Sequence, residues 1–267
     1  MLYNVPTAVL LVAAITLAVA IACTAQTFVH RRFKNADFVA HNEVAGFIIA
    51  VVGTLYAVVL GFFTVIVWQQ YDGMQDRLAL ETAAVIDAWH DAVGFPPAIR
   101  SRLRADMLAY THEMIDVEWP RMERGGFSAR GDALIMDATG TVGTYVPHNG
   151  AETNAQAAAL QLLTELHDAR LRRLSSNEQG FSWFDWAVLV IGAAIVIGFC
   201  FLFGMRNTRT HLIMTSCVAA IIVSMFVMIF ELQYPFRGDL RIRPTAWVGL
   251  LGHIRYMDTQ SPTNMRM

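Results

Sequence analysis

Four long stretches of the chain contain no charged residue. They cover residues 5–29, 44–69, 186–205 and 212–230. Each comes close to or exceeds the roughly 20 apolar residues that a helix needs to cross the hydrocarbon layer of a bilayer. No basic residue precedes the first stretch, whereas a cleaved signal peptide begins with a positive segment. The pattern therefore predicts four retained membrane-spanning helices, the last two joined by a tight hairpin at residues 206–209.

The segment between the second and third spans, residues 71–181, has a different pattern. It carries 16 acidic and 10 basic residues, a net charge of −6. Apolar residues return in it at helical spacing, beginning with Leu78, Ala79, Ala83, Ile86, Trp89 and Val93. The second span is therefore predicted to continue into this segment as one long helix. Gly94, Pro96 and Pro97 should end that helix.

Further helices are predicted beyond this break. One covers about residues 98–119, a short one begins at Ser128, and one rich in Ala and Leu covers about residues 152–174. Residues 140–150 contain several glycines and predict a loop. No strand pattern competes, so we expect an all-α membrane protein with a helical extramembrane domain inserted between the second and third spans. The predicted regions are spans in 1–70, the extramembrane domain in 71–181, spans in 182–233 and a C-terminal segment in 234–267.

Composition agrees with a membrane protein. The 267 residues are 55% hydrophobic and 16% charged, against about 25% charged in a typical soluble domain. Lys34 is the only lysine, and the basic residues form no long run, which argues against a nucleic-acid partner. The three cysteines lie in apolar stretches at Cys23, Cys200 and Cys217, and they are interpreted as buried structural thiols.

The arginines and lysines near the spans bear on orientation, because short cytoplasmic loops carry an excess of them. The two short loops hold five and the C-terminal segment holds three: Arg31, Arg32, Lys34, Arg206 and Arg209 against Arg237, Arg241 and Arg243. This count favours both termini and the extramembrane domain lying outside the cytoplasm.

No enzyme motif is present in the sequence. There is no glycine-rich phosphate loop, nucleophile elbow or paired-cysteine metal site. Three neighbourhoods combine histidine with acids: Asp87, His90 and Asp91; His112, Glu113 and Asp116; Glu165, His167 and Asp168. A carboxylate-bridged metal bundle needs paired Glu-x-x-His repeats, which are missing. We interpret these residues as solvated helix surface and expect no catalytic residue, metal or cofactor.

The second span carries a stripe of small residues at steps of three or four, formed by Gly46, Ala50, Gly53, Ala57, Gly61 and Thr64. Small residues permit close helix packing in lipid, for which Gly46, Gly53 and Gly61 are the best candidates. Packing is the commoner reason for such a stripe, and the stripe is also compatible with a pore-lining helix packed around an axis against copies of itself. The residues alone leave both interpretations open.

Three acidic residues lie at the ends of spans. Glu43 opens the second span, Asp185 opens the third and Glu231 closes the fourth. In an oligomer they could form acidic rings at the mouths of a pore. They could equally be ordinary boundary residues that headgroups and water solvate.

Five segments of the chain resemble a known family. They are NEVAGF (42–47), GTLYAVVLGF (53–62), EWP (118–120), FGMRN (203–207) and PFRG (235–238). In order and spacing they are similar to the bestrophin-like bacterial membrane proteins, a family defined as a domain of unknown function. The similarity covers about residues 42–247.

A looser resemblance links the chain to bestrophin channels. LGFFT (60–64) and WQQY (68–71) are similar to the neck helix that lines an apolar constriction in those channels, one helix from each of five subunits. By position the resemblance implies that Thr54, Val58 and Phe62 line the pore here. The interval between the two segments is about one helical turn shorter than in bestrophins, and Thr54 is polar where a bulky apolar residue is expected.

The resemblance does not extend to calcium. PFRGD (235–239) stands at the place of the bestrophin calcium clasp but lacks its acidic run, and Ca²⁺ needs about six to eight oxygen ligands. Bestrophins also keep their large domain in the cytoplasm, opposite to the arginine and lysine count above.

Two functions remain as hypotheses at this point. The first is a homo-oligomeric ion channel, a pentamer by resemblance, in the inner membrane of a bacterium, with the bilayer and inorganic ions as partners. The second is a non-conducting membrane scaffold or sensor whose helical domain binds a partner.

Overall fold

The computed structural model describes residue 3 and residues 5–33, 42–178, 180–205 and 207–260. Within these residues every regular element is helical. The α-helices are α1 (Thr7–Arg32), α2 (Asn42–Asp91), α3 (Pro97–Glu113), α4 (Trp119–Met122), α5 (Ala129–Gly143), α6 (Gly150–Glu178), α7 (Trp183–Cys200), α8 (Thr208–Leu232) and α9 (Thr245–Gln260). A 3₁₀ turn, Ala92–Gly94, follows α2, and a π-helical turn, Met114–Glu118, joins α3 to α4.

Four of these helices, α1, α2, α7 and α8, are long and apolar enough to cross a membrane. The predicted all-α membrane protein with four spans and an inserted helical domain is therefore confirmed. The third span ends earlier than predicted, at Cys200. Asn42 accounts for part of this difference, because its side-chain amide accepts from the Gly204 N–H at 2.9 Å and donates to the Gly204 carbonyl at 2.8 Å. Those bonds engage the Gly204 N–H and carbonyl with a side chain, outside the hydrogen-bonding pattern of a helix.

The described residues form two compact units. The membrane unit contains the described residues of Met1–Tyr71, Gly180–Gln233 and Gly238–Leu240. The outer unit contains those of Asp72–Gln179, Tyr234–Arg237 and Arg241–Met267. As the apolar stripe predicted, α2 is one uninterrupted helix of 50 residues. It contributes its first part to the membrane unit and its last part to the outer unit.

Other predictions for the extramembrane domain need correction. The helical path does not stop at Pro120 but continues to Met122, because Pro120 lies in the first turn of α4, where a missing N–H removes no helical hydrogen bond. The loop predicted at residues 140–150 is shorter, since α5 extends to Gly143. Ser128 begins α5 as predicted and caps it by accepting from the Arg130 N–H.

The C-terminal segment contains a helix for which no prediction was made. This helix, α9, buries Trp247, Leu250 and Ile254 in the outer unit, at the spacing of one helix face. The Trp247 ring packs edge-on against Tyr110 at a centroid distance of 5.6 Å. The outer unit therefore includes residues from both sides of the third and fourth spans.

Candidate functional site

The membrane part of α2 exposes a long apolar face. Thr54, Val58 and Phe62, the predicted pore-lining residues, all lie on it, and the side chains of Val58 and Phe62 are 52% and 66% exposed in the single chain. The Thr54 hydroxyl donates to the Ala50 carbonyl one turn earlier at 2.6 Å. This bond satisfies the hydroxyl within its own helix, so Thr54 needs no other polar partner on an apolar face.

The opposite face of α2 holds the core of the membrane unit. Tyr56, Leu60 and Val67 are buried there together with apolar residues of α7 and α8. The Tyr56 hydroxyl donates to the Leu189 carbonyl at 3.0 Å, and the Tyr56 ring covers Gly192, where an added Cβ would come within 2.4 Å of it. These contacts fix the rotation of α2 within the unit, and so determine which residues it exposes.

The three glycines predicted for helix packing differ in their surroundings. An added Cβ at Gly46 would lie 4.0 Å from the Phe203 ring. An added Cβ at Gly53 or at Gly61 would have no atom within 4 Å. Within one chain the close approach of α2 to α7 therefore depends on Gly192. A packing role for Gly53 and Gly61 against another copy of the chain stays a prediction.

The three acidic residues at the span ends also differ. Glu43 is exposed in the first turn of α2. Asp185 forms a capping box with Ser182 at the start of α7, accepting from its backbone N–H at 2.9 Å and from its hydroxyl at 2.8 Å. Glu231 is only 1% exposed, and Gly238 lies so close that an added Cβ would stand 2.7 Å from its carboxylate. Of the three, Glu43 has the exposure that a pore-mouth charge needs.

The outer unit is built around buried charges. The Arg173 guanidinium is fully buried and binds Glu81 through two hydrogen bonds of 2.7 and 3.0 Å. It also donates to Glu118 at 2.9 Å. The Tyr110 hydroxyl donates to the same Glu81 carboxylate at 2.7 Å. Two fully buried carboxylates therefore share one arginine, which links α2, the π-helical turn and α6.

A second buried arginine extends this group. Arg170 binds Glu118 and donates to Asp132 at 2.9 Å and to the Ser128 carbonyl at 2.6 Å. An added Cβ at Gly131 would meet the Arg170 guanidinium at 2.7 Å, so glycine there lets α5 approach the charge. We call Glu81, Glu118, Arg170 and Arg173 the ionic core; all four are fully buried.

The π-helical turn brings two glutamates to the same side of the chain. Glu118 accepts from the Ser128 N–H at 3.0 Å, and Glu113 accepts from the Ser128 hydroxyl at 2.6 Å. Residues five apart in an α-helix differ by about 140° in direction, whereas the i→i+5 bonding of a π turn aligns them. The unusual turn is therefore what allows both carboxylates to bind Ser128.

The ionic core shifts the pKa of Arg173 and of the neighbouring Tyr110. Burial by itself lowers the pKa of Arg173, but the Glu81 and Glu118 carboxylates raise it above its ordinary value, so the guanidinium stays charged. Burial, reinforced by Glu81, raises the pKa of Tyr110 well above its usual range. The arrangement is thus a stable set of charges with a neutral phenol, which suits a structural role.

Comparisons with known proteins decide the family. A family model for the Bestrophin-like domain matches residues 14–247. The chain belongs to the Bestrophin-like family. The resemblance predicted from its five short segments is thereby confirmed. A search of the curated proteins found no match.

Solved structures show the same fold. A mutated bacterial bestrophin homologue from Klebsiella pneumoniae matches with a TM-score of 0.67 and 11% identity, over 91% of this chain and 98% of that one. A mutated membrane protein matches with a TM-score of 0.64 and the same identity and coverage. At this identity the likeness establishes the bestrophin-like fold alone.

Two of the five segments that carried the resemblance, EWP (118–120) and PFRG (235–238), contribute residues to the outer unit. Glu118 belongs to the ionic core, and Trp119 donates from its indole N–H to the Ile242 carbonyl at 3.0 Å. Phe236 packs edge-on against Trp119 at 5.3 Å. Arg237 donates to the Asn177 carbonyl at 3.0 Å and lies against Gly125, whose φ of +82° favours glycine. These bestrophin-like segments therefore contribute to packing.

The histidine–acid neighbourhoods are not assembled into a metal centre in this bestrophin-like chain. Among the described residues no group of three or more His, Cys, Asp or Glu side chains could hold a metal ion. Asp87, His90 and Asp91 are exposed on α2. His112 pairs with Asp116 at 3.5 Å on the surface, while the neighbouring Glu113 turns inward to Ser128.

Sequence reasoning missed two groups of polar residues. Arg170 and Arg173 entered the sequence analysis only through the net charge of residues 71–181, although their spacing of three places them on one helix face. Gln26 was absorbed into the first uncharged stretch, and His30 and His211 lie just outside the stretches at 5–29 and 212–230, although the structure includes both in α1 and α8. A buried amide or imidazole inside a span is a signal that the search for charged residues did not register.

Proposed function

We propose that this bestrophin-like protein is a homo-oligomeric ion channel in the bacterial inner membrane, with α2 lining the pore. The observation that carries the proposal is the division of α2 into two faces. One face packs on α7 and α8, and the other leaves Thr54, Val58 and Phe62 exposed in the single chain. An apolar ring made by copies of this face can stop ions by excluding water.

Small residues beside this face support association through α2 itself. Ala50, Ala57 and Gly61 are exposed and lie next to the line of Thr54, Val58 and Phe62 on the helix surface. Small side chains allow backbones to approach closely in lipid. Copies of α2 can therefore pack side by side around an axis with the larger residues directed toward it, and the family resemblance suggests five copies.

The three acidic residues predicted at the pore mouths are not equally available. Glu43 is exposed at the start of α2, so a ring of Glu43 carboxylates would favour cations near that end of the pore. Asp185 is already engaged by Ser182, and Glu231 is buried. Rings of Asp185 or Glu231 are accordingly weaker candidates for setting ion preference.

The test is a recording of current from the purified protein reconstituted in a planar bilayer under a salt gradient. We expect discrete openings, and we expect Phe62→Ala to raise the single-channel conductance because it widens the apolar constriction. The reversal potential gives the sign of the permeant ion, and Glu43→Gln should move it toward anion preference.

Phe28→Ala is the matched control. Phe28 is a similarly exposed phenylalanine, 68% against 66% for Phe62, but it lies on α1. Its removal should leave conductance unchanged. Equal effects of the two substitutions, or silence from a folded wild-type oligomer across voltage, pH and calcium, would overturn the channel proposal.

A scaffold or sensor is the second candidate, and one feature of the outer unit favours it. A groove of about 370 Å³ lies between the last part of α2 and α6, with Leu80 and Ala84 in it and Arg77, Asp87, Glu165 and Arg172 along it. A groove of this kind could receive a partner helix or peptide. If this is the function, Leu80→Asp should abolish binding of the partner in this groove, while Phe62→Ala should leave that binding intact.

A further inference from the structure

A small polar cavity lies inside the membrane unit between α1 and α8. Its volume is about 50 Å³, and it is lined by Gln26, Thr27, His30, Met205, Thr208, His211 and Leu212. Met205 and Thr208 are exposed, so the cavity opens toward the short loop between α7 and α8. Gln26 and His211 are buried at 2% and 5% exposure.

The buried side-chain amide of Gln26 indicates that the cavity contains water. Within the part of the chain that the structure describes, neither its amide nitrogen nor its amide oxygen has a hydrogen-bond partner. Leaving both groups dry inside a bilayer would cost several kcal/mol. A cation would satisfy only the oxygen and an anion only the nitrogen, whereas water satisfies both. A volume of about 50 Å³ has room for about three waters.

His211 is held in a defined protonation pattern. Its Nε2 lies 2.8 Å from the Cys200 carbonyl oxygen. A carbonyl can only accept, so Nε2 carries the hydrogen, and Nδ1 of the neutral ring has a free lone pair. The carbonyl belongs to the last residue of α7, so the His211 ring links the end of α7 to the start of α8.

His30 stands beside this ring. The two imidazole rings are 5.3 Å apart at an angle of 87°, and both line the cavity with Gln26. Among the described residues, the charged side chains on the adjoining ends of α1 and α8 are basic: Arg31 and Arg32 end α1, and Arg209 lies in the first turn of α8. No described carboxylate lines the cavity, and Cys200 contributes its carbonyl from α7. Two charged imidazoles at this distance would repel each other, so the pair has capacity for one proton.

We propose that this cavity is a hydrated proton-binding site, in which His30 and His211 share one proton and Gln26 holds the connecting water. Proton binding transfers H⁺ from solvent to an imidazole lone pair, and no covalent bond to carbon or sulfur changes. The site lies between α1 and α8, away from the exposed face of α2. It therefore stands independently of the proposed channel function.

The water is tested by the thermal stability of the full chain in lipid nanodiscs. Gln26→Leu removes the amide with little change in volume, and Thr24→Val is the control, since Thr24 bonds only to its own helix at Ala20. If water satisfies Gln26, the leucine variant loses those hydrogen bonds and its Tm falls by more than that of the control. A dry, unsatisfied amide would give the opposite result, and a Tm equal to or above that of wild type overturns the proposal.

The proton is tested by ¹⁵N NMR of the histidine-labelled protein in nanodiscs between pH 8 and pH 5, the range in which histidine commonly changes charge. Signals of the two rings are assigned with His30→Phe and His211→Phe. We expect both rings to change in one common step in wild type, and the coupling to disappear in Gln26→Leu. Independent titration of the two rings, or no titration of either, overturns the proposal.

Discussion

The cores of the two units are made of different chemistry. The membrane unit packs apolar side chains of α2, α7 and α8 around Tyr56, whose hydroxyl bonds to a backbone carbonyl. The outer unit places two arginines and two glutamates at 0% exposure in its centre. The part of the chain that faces lipid thus has the simpler core, and the part that faces water has the charged one.

The environment of each unit explains this contrast. Lipid tails are as apolar as leucine, so helices in a membrane associate through close packing and gain little from burying apolar area. A unit in water gains hydrophobic free energy from every buried apolar residue, which can offset the cost of removing ions from water. In the outer unit the buried ions link specific helices. In the membrane unit the close contact of the Tyr56 ring with Gly192 links α2 to α7.

The largest effect is expected when one member of the ionic core is removed, which tests whether buried charges stabilise the outer unit. Arg173→Met leaves Glu81 and Glu118 as buried charges without their shared partner. We expect the free energy of unfolding of the full chain to fall by about 3–5 kcal/mol, measured by chemical denaturation in detergent.

Arg172→Met is the control for this substitution. Arg172 is the neighbouring arginine and is exposed, so its loss should change stability by no more than about 0.5 kcal/mol. Similar losses for the two variants would show that the buried charges are not what stabilises the outer unit.

The packing of the membrane unit can be challenged with a single methyl group. Gly192→Ala would place a Cβ 2.4 Å from the Tyr56 ring, and such overpacking typically costs about 1–3 kcal/mol. Thermal unfolding in nanodiscs should show a lower Tm for this variant.

Gly198→Ala on the same helix provides the contrast, because an added Cβ there meets nothing within 4 Å. Alanine favours a helix over glycine by up to about 1 kcal/mol, so this variant should be as stable as wild type or more so. A Tm loss at both positions would assign the effect to α7 in general and not to the Tyr56 contact.

The smallest expected effect concerns a surface charge of the outer unit. The pKa of Glu152 is lowered, first by the hydrogen bond from the Tyr145 hydroxyl and then by the His148 N–H. A carboxyl with a lowered pKa stabilises the fold above its unfolded pKa, and this contribution is lost as pH falls through the folded pKa. Tyr145→Phe should therefore weaken the fall of the free energy of unfolding as the pH is lowered into the acid range. Tyr256→Phe, at an exposed tyrosine, is the control. If the free energy of unfolding of Tyr145→Phe depended on acid pH as in wild type, the Glu152 carboxyl would be excluded as a source of the pH dependence.

The spans and the long α2 could be predicted because their signals are local. Uncharged runs and a stripe of apolar residues at helical spacing need only neighbouring residues to be read. The ionic core could not be predicted in this way, since Arg173 is 92 residues from Glu81 and 55 from Glu118. Helical spacing places Arg173 on the buried face of α6 with Leu163, Leu166 and Arg170, but it does not identify the distant carboxylates that Arg173 binds.

The candidate site was accessible to prediction for a different reason. Thr54, Val58 and Phe62 were taken from a family resemblance, and the structure adds that all three are exposed on α2. Whether they line a pore depends on other copies of the chain.

The loop predicted at residues 140–150 was too long, because its glycines were given more weight than the helical continuation of α5 to Gly143.

The π-helical turn at Met114–Glu118 also determines how the length of this segment can change. Glu113 and Glu118 are five residues apart, so deleting one residue between them leaves a spacing of four. Residues four apart in an α-helix differ by about 40° in direction, so both carboxylates would stay on the side of Ser128. The same deletion inside the regular part of α3 would instead turn everything after it by about 100°. A one-residue gap in an alignment is therefore tolerable at this turn and damaging a few residues earlier.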